Sequence, residues 1–378
     1  MGELKLQQCR VDGRYDIIGC LGHGSYAEIY VARDIAAAST ASAKVVIKAL
    51  DLYLQGTPDE DLERTLVENF QNEAIALDRV RHTHIISRLG HGTAIDLGGK
   101  VFHYIVLEFM PGGDLAALCR SKALGVDRTL YYLEQICDGL DHAHSRGVIH
   151  RDIKPQNLLL SADLETLKIA DFGVAKLEAS DEVITRVGTD VYAAPEHHPL
   201  LQTGPLDADV LTNPKKCLTP AADVYSLAKT TYSMITGESP RKFAQNPISS
   251  LPPEAELHFW SQPVLEVLRR ATDNRVERRY QSAHEFLSEM REAALAPTLS
   301  LAEETITQGA ATAHALTNRV AAGAPPPPLP VFAPAEIIGH LASAGARPRI
   351  VVPIDASQKN GRLCCCCCAA NQVQWAQQ

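Results

Sequence analysis

The feature that most limits the fold is a change of periodicity at Pro111-Gly112-Gly113. Ahead of it, residues 15–21, 27–33 and 44–50 are short β-rich runs parted by Gly-rich or Ala/Ser-rich turns. Residues 59–80 interrupt them with Leu62, Leu66, Phe70, Ala74, Leu77 and Val80 at helical spacing. Further strands are expected at 85–91 and 101–109. Beyond the break helical runs dominate, at 127–145, 222–236, 255–270 and 283–295, with short strands at 158–160 and 167–170. The expectation is an α+β chain of two lobes. The small lobe, about 15–110, is rich in antiparallel strands, and the large lobe, about 111–293, is mostly helical. The cleft between them is a natural ligand site.

From about residue 297 the composition turns to Ala, Thr and Pro, with four prolines at 325–328 and five cysteines at 364–368. Residues 294–378 therefore read as a low-complexity tail, largely disordered, with one short helix expected at 335–342. Prolines 325–330 suit a polyproline II segment for an SH3- or WW-like partner, or a plain spacer. The cysteine run suits a soft metal, acylation or cross-linking, and an incidental low-complexity end equally well. A net charge of −9 argues against a surface that coats nucleic acid. The other five cysteines form no CxxC pair, so no zinc finger is expected, and a reducing compartment is the easier reading. With no apolar leader and no run of about 18 apolar residues, a soluble cytoplasmic protein is expected.

Four segments carry chemistry. Gly22-His23-Gly24-Ser25-Tyr26-Ala27-Glu28-Ile29 places glycines between two strands, where backbone amides can approach phosphate oxygens. An ordinary Gly-rich hairpin has the same look. Val45-Val46-Ile47-Lys48 ends an apolar strand in a lysine, which either snorkels to the surface or grips phosphates beside a carboxylate. Glu73, on the apolar stripe of the following helix, is a candidate for that carboxylate. His150-Arg151-Asp152-Ile153-Lys154-Pro155-Gln156-Asn157 is the most informative run. There Asp152 can orient or accept a hydroxyl proton, Lys154 can neutralise a phosphoryl group, and Asn157 offers an oxygen to a metal. Nineteen residues after Asp152 comes Asp171-Phe172-Gly173, a second hard oxygen donor suited to Mg2+.

In this order, and followed by Ala194-Pro195-Glu196, these segments resemble the eukaryotic-type protein kinases over residues 15–293. The resemblance implies a bilobal kinase fold that moves the γ-phosphate of ATP, with Mg2+, onto protein serine or threonine. It implies that Gly22 and Gly24 cover the phosphates and that Lys48 contacts them while paired with Glu73. Asp152 would be the catalytic base, Lys154 would steady the γ-phosphate, and Asn157 and Asp171 would hold Mg2+. Around the nucleotide, Ile29, Val46 and Leu159 would bracket adenine, Leu107 would be the gatekeeper, Glu108 and Met110 would form the hinge, and Asp114 would reach the ribose. Lys154 and Gly188-Thr189 resemble the serine/threonine pattern, and 279–283 is similar to bacterial members of the family. Arg151 would receive a phosphate on Thr185 of the activation segment, so autophosphorylation is a further expectation. Asp223 would brace the His150 region, Glu196 and Arg279 would form a buried ion pair, and Leu77, His150 and Phe172 would stack between the lobes.

The chain departs from the pattern in three places. Ala27 replaces the third loop glycine, Val46 replaces the usual alanine facing adenine, and 197–220 is longer than in a compact member. The alternative to an active enzyme is a catalytically weak kinase fold used as a scaffold or ATP-binding switch. Lys48, Glu73, Asp152, Asn157 and Asp171 are all present, which favours the enzyme.

Overall fold

The structure is a computed structural model and describes residues 4–24, 26–38, 43–54, 56, 58–172, 191–197, 219–306 and 349–353. The small lobe is built on an antiparallel meander of β2 (Tyr15–His23), β3 (Ala27–Asp34), β4 (Lys44–Leu50), β5 (Arg88–Ile95) and β6 (Val101–Glu108), with β6 lying between β4 and β5. Strand alternation decides which residues reach the cleft. On β4, Val45, Ile47 and Ala49 are buried in the core of the lobe, while Val46 and Lys48 are half-buried on the opposite face. Helix α1 (Glu60–Arg79) crosses that face. Asp59 caps it by accepting from Leu62 N at 2.7 Å, and Glu60, Asp61 and Glu63 in its first turn suit the positive end of its dipole. Its buried stripe runs Leu66, Phe70, Glu73, Ala74, Leu77, which puts one carboxylate among apolar neighbours.

The sheet extends past both expected limits of the small lobe. A strand β1 (Cys9–Val11) precedes residue 15 and pairs with β2, and Leu4, Leu6, Cys9 and Val11 are buried in the same core. Within the stretch read as a low-complexity tail, β9 (Arg349–Ile350) pairs parallel with β5 and β10 (Val352–Pro353) pairs antiparallel with β1. Between them Val351 donates its N–H to Ile95 O at 2.9 Å and is only 1% exposed. One short segment thus joins the two edges of a six-stranded sheet and brings it to eight strands in the order β10-β1-β2-β3-β4-β6-β5-β9. The cause is local: Ile350-Val351-Val352 is a β-branched run, and each edge offers unpaired N–H and C=O groups. The short helix expected at 335–342 lies outside the described residues.

The large lobe contains α2 (Leu115–Ser121), α3 (Gly125–His144), α4 (Pro220–Thr236), α5 (Ser261–Ala271) and α6 (Ala283–Ile306), with α2 and α3 packed on a two-stranded ladder of β7 (Leu158–Leu160) and β8 (Leu167–Ile169). Helix α4 is buried along almost its whole length, starts on Pro220 and stops at Gly237 with φ 72°. A single helix was expected over 255–270, but a short turn at Pro253–Glu256 and α5 are separate. Pro263 explains the break, because its ring forbids a helical carbonyl four residues earlier and so confines it to a first turn. Strand β5 also starts later than expected. Ile85 and Ile86 instead turn into the large-lobe core, with Ile85 bridging Ile169. That core joins Leu77 of α1 to α3, α4 and Phe172. Residues 295–347 form a second compact unit, whose described part is the helix ending at Ile306. Among the described residues no helix is long and apolar enough to cross a membrane.

Candidate active site

Lys48 organises the cleft. Its Nζ lies 2.6 and 2.7 Å from the Glu73 carboxylate oxygens and 2.8 Å from Asp171 Oδ1. A strand, a helix and the loop after β8 therefore meet at one ammonium. Burial opposes the charge on Lys48, but Asp171 and Glu73 outweigh it and push its pKa up. Glu73 is buried, whereas the Asp171 side chain is 47% exposed to the cleft. Asp171 has φ 60°, a left-handed backbone that is uncommon outside glycine and clusters at functional positions.

The loop from 150 to 157 adjoins Asp171, since Ala170 N donates to Asn157 O at 2.8 Å. Lys154 Nζ is 3.0 Å from Asp152 Oδ2. The Asn157 amide nitrogen donates to Asp152 O at 2.8 Å and to Asp152 Oδ2 at 2.9 Å. That leaves the amide oxygen of Asn157 turned away from Asp152, and the 310 turn Pro155–Asn157 fixes this placement. The loop is braced from below by Asp223 of α4, whose Oδ2 accepts from His150 N and whose Oδ1 accepts from Arg151 N, both at 2.8 Å. Burial works against the ionised form of Asp223, but His144 and these backbone amides outweigh it and hold its pKa below the usual range. Asp152 N donates to His150 Nδ1 at 3.2 Å, so the proton sits on Nε2, which donates to Ala170 O at 3.0 Å. Burial pushes the His150 pKa down and keeps it neutral. Its ring lies 4.6 Å from that of Phe172, and Leu77 is buried in the same core as Phe172.

Several of the expected nucleotide residues lie on strands next to Lys48, which pairs with Ile29 on one side and Ile105 on the other. Gly22 pairs with Ile29 across the β2–β3 hairpin, and Gly24 N donates to Ala27 O at 2.6 Å. Val46 pairs with Val31 on one side and Leu107 on the other. Met110 and Leu159 are partly buried against the large-lobe core. Glu108 is held by Ser87 N at 2.6 Å and by Lys168 Nζ at 2.7 Å, which ties the end of β6 to β8. Gly112 N donates to Leu160 O at 2.9 Å, so close that a Cβ at Gly112 would lie 2.1 Å from Ser161 O. Asp114 is less free than expected. Its Oδ1 caps α2 by accepting from Ala117 N at 2.6 Å, and burial pushes its pKa up.

Further from the cleft, Arg279 grips Glu196 through two parallel bonds of 2.7 and 2.9 Å, with both side chains buried. Arg151 has φ 70° and lies in the loop as expected, whereas Thr185, Gly188 and Thr189 fall outside the described residues. Most of the 197–220 insertion also lies outside them. Two partners escaped sequence reasoning. His144 Nε2 lies 2.7 Å from Asp223 Oδ2, and the only hint was its position on the inward stripe of α3. Lys168 reaches Glu108 from β8, where it pairs with Leu159, which only the β7–β8 register reveals.

This constellation on a bilobal fold is that of a protein kinase domain, and residues 15–294 match that family. The chain belongs to it. It is 33% identical over 231 residues to the serine/threonine-protein kinase drp72 of Corynebacterium efficiens, covering 60% of this chain and 39% of that protein. It is 31% identical over 244 residues to the serine/threonine-protein kinase PknA of Corynebacterium glutamicum, covering 63% and 46%. The fold also matches the kinase domain of Mycobacterium tuberculosis PknI, with a TM-score of 0.51, 24% identity, and 76% of this chain and 99% of that one covered. The matched stretch takes in less than half the length of the two curated relatives.

Proposed function

We propose that this chain is a serine/threonine protein kinase that transfers the γ-phosphate of ATP to hydroxyls of protein substrates. The observation that carries the reading is the three-way contact of Lys48 with Glu73 and Asp171, next to a loop in which Lys154 and Asn157 both contact Asp152, the two being joined by the Ala170 N to Asn157 O bond. A buried ion pair with an exposed carboxylate at its rim suits a polyanionic ligand that brings its own cation.

The donor set fits Mg2+. Among the described residues no cluster of three or more His, Cys, Asp or Glu could hold a metal alone. Mg2+ needs no such cage, since it is commonly held by one or two protein oxygens together with substrate phosphates and water. Asp171 and the Asn157 amide oxygen would hold it. When bound, it neutralises the phosphate charge that develops during transfer.

The chain's own groups do the rest. Gly22 and Gly24 let the hairpin backbone lie over the phosphates. Lys48 holds the α- and β-phosphates, and Glu73 fixes its position. Asp152 orients the serine or threonine hydroxyl and takes its proton as the new O–P bond forms and the bond to the leaving ADP breaks. Lys154 sits 3.0 Å from Asp152 and steadies the transferring phosphoryl group. Activation through a phosphate on Thr185 is part of the proposal, supported by Arg151 next to Asp152.

The test is transfer from γ-labelled ATP with Mg2+ into a generic basic protein and into the chain, with mass spectrometry locating the product. Phosphoserine or phosphothreonine from the parent, and none from Asp152→Ala, is the expected result. A folded parent that binds nucleotide and transfers nothing would overturn the reading.

A further inference from the structure

The small lobe is closed by a segment from the far end of the chain. β1 and β5 are the edges of the sheet formed by residues 9–108, and the segment 349–353 hydrogen-bonds to both. Its footprint is small. Arg349 and Ile350 pair with Ala94 and Ile95, and Val352 and Pro353 pair with Arg10 and Cys9. Among its side chains that are described, Val351 is 1% exposed and Val352 is 48% exposed. Val351 joins the apolar layer of Leu4, Leu6, Cys9 and Val11. The β1–β2 ladder is as short, with Arg10–Asp16 and Val11–Tyr15, though β1 is also anchored by buried Cys9 and Val11, and the ladders beyond it are much longer, with β3 and β4 paired from Ala27–Leu50 to Arg33–Lys44 and β4 and β6 from Val45–Glu108 to Leu50–His103.

We propose that the edges of β1 and β5 form a strand-receiving groove, that its ligand is the chain's own segment 349–353, and that this segment detaches and re-docks as a unit while the lobe stays folded. Main-chain bonds to both edges supply the affinity, as in other cases of strand addition, and Val351 supplies the selectivity as the inward side chain. Two short ladders and one known buried side chain make a local opening far less costly than unfolding the lobe. Residues 307–348 tether the ligand, so re-docking is intramolecular and outcompetes other extended peptides at ordinary concentrations. Release uncovers the Cys9 thiol together with the Leu4 and Leu6 layer. The docked segment is therefore a cover whose state Cys9 reports. The inference is independent of phosphate transfer.

The test uses the full chain under native conditions. Hydrogen exchange at the Val351 amide is expected to be protected, but less than at Val46 or Ile47 in β4. Alkylation of Cys9, located by mass spectrometry to separate it from the exposed Cys20 and the run at 364–368, is expected to proceed while the β4 amides remain protected. Val351→Asp should speed Cys9 alkylation at least about 10-fold with β4 protection unchanged, whereas Val352→Asp should leave it near the parent rate. A second arm cuts the folded chain at a protease site placed within 320–330. The C-terminal piece should co-elute with the kinase domain, and an excess of synthetic peptide 346–356 should displace it. Free-chain exchange rates at 349–353, or loss of the C-terminal piece on cutting, would overturn the groove. Cys9 alkylation only on global unfolding, or a Val351→Asp chain that does not fold, would overturn the detachment.

Discussion

Replacing Arg279 with Met should destabilise the chain severely while leaving its surface unchanged. The Arg279 guanidinium makes bonds of 2.7 and 2.9 Å to Glu196, a 2.6 Å bond to Asp273 O, and lies 4.9 Å from the ring centre of Tyr225. Both members of the ion pair are buried, so water cannot replace the lost partner. Removing one charge strands the other, at a cost of about 3–5 kcal/mol. For a domain of this size that corresponds to a midpoint roughly 5–9 °C lower. Glu196→Gln should cost less than Arg279→Met, because the amide oxygen can still accept from the guanidinium, which also keeps its bond to Asp273 O. Arg279→Met/Glu196→Leu should recover at least about 1–3 kcal/mol relative to the sum of Arg279→Met and Glu196→Leu, since an apolar pair leaves no buried charge. Urea titrations followed by Trp fluorescence and far-UV circular dichroism, with all variants at one pH and salt, give the values. A cost below about 1 kcal/mol for Arg279→Met, or strict additivity of the pair, would refute the claim that this pair is desolvated and coupled.

Other expectations follow from the same contacts. Gly112→Ala should cost about 1–3 kcal/mol, because its Cβ would lie 2.1 Å from Ser161 O, while Gly19→Ala, with nothing within 4 Å, should change the urea midpoint little. Burial pushes the Lys229 pKa down to about 7, against the ammonium's bonds to Phe243 O and Asn246 O. The unfolded chain therefore binds the extra proton between pH 7 and 10.5, and stability should rise with pH in that window by up to about 1.4 kcal/mol per unit. The gain is complete above the unfolded pKa and lost as pH falls to the folded one, and Lys229→Met should flatten the slope. Val46→Ala should lower the KM for ATP several-fold in steady-state assays, since Val46 stands half-buried on the cleft face of β4 where the family usually has alanine.

The cleft was legible in the sequence because its chemistry sits in short contiguous runs. The order of the glycine hairpin, Lys48, Glu73, the 150–157 loop and Asp171 led to the expectation of one site, and the 2.6–2.8 Å contacts of Lys48 bring Lys48, Glu73 and Asp171 together. Glu73 could be singled out because a carboxylate on the stripe of Phe70, Ala74 and Leu77 needs a partner. The closing segment was not legible. A strand held by pairs at 349–350 and 352–353 is too short for an alternating pattern, and its partners lie hundreds of residues away. Leu4, Leu6, Cys9 and Val11 did carry a spacing of two within each pair, which is the signal that could have placed β1. The split between Pro253–Glu256 and α5 was hidden for a different reason: helical periodicity runs across it, and only Pro263 marks the new start. The role of Asp114 as the cap of α2 was readable in principle from an Asp before an apolar helical run.

The most direct test of the central claim is single-turnover transfer of labelled phosphate at saturating ATP over a Mg2+ titration, comparing the parent with Lys48→Met and Asp171→Asn. Nucleotide binding is measured in parallel. The account predicts Mg2+-dependent phosphoserine or phosphothreonine formation by the parent. It predicts a loss of at least about 100-fold in both variants, as expected when an electrostatic group acting on the transferring phosphoryl is removed, with the fold retained. Transfer by Lys48→Met or Asp171→Asn at the parent rate, or transfer by the parent that ignores Mg2+, would contradict it.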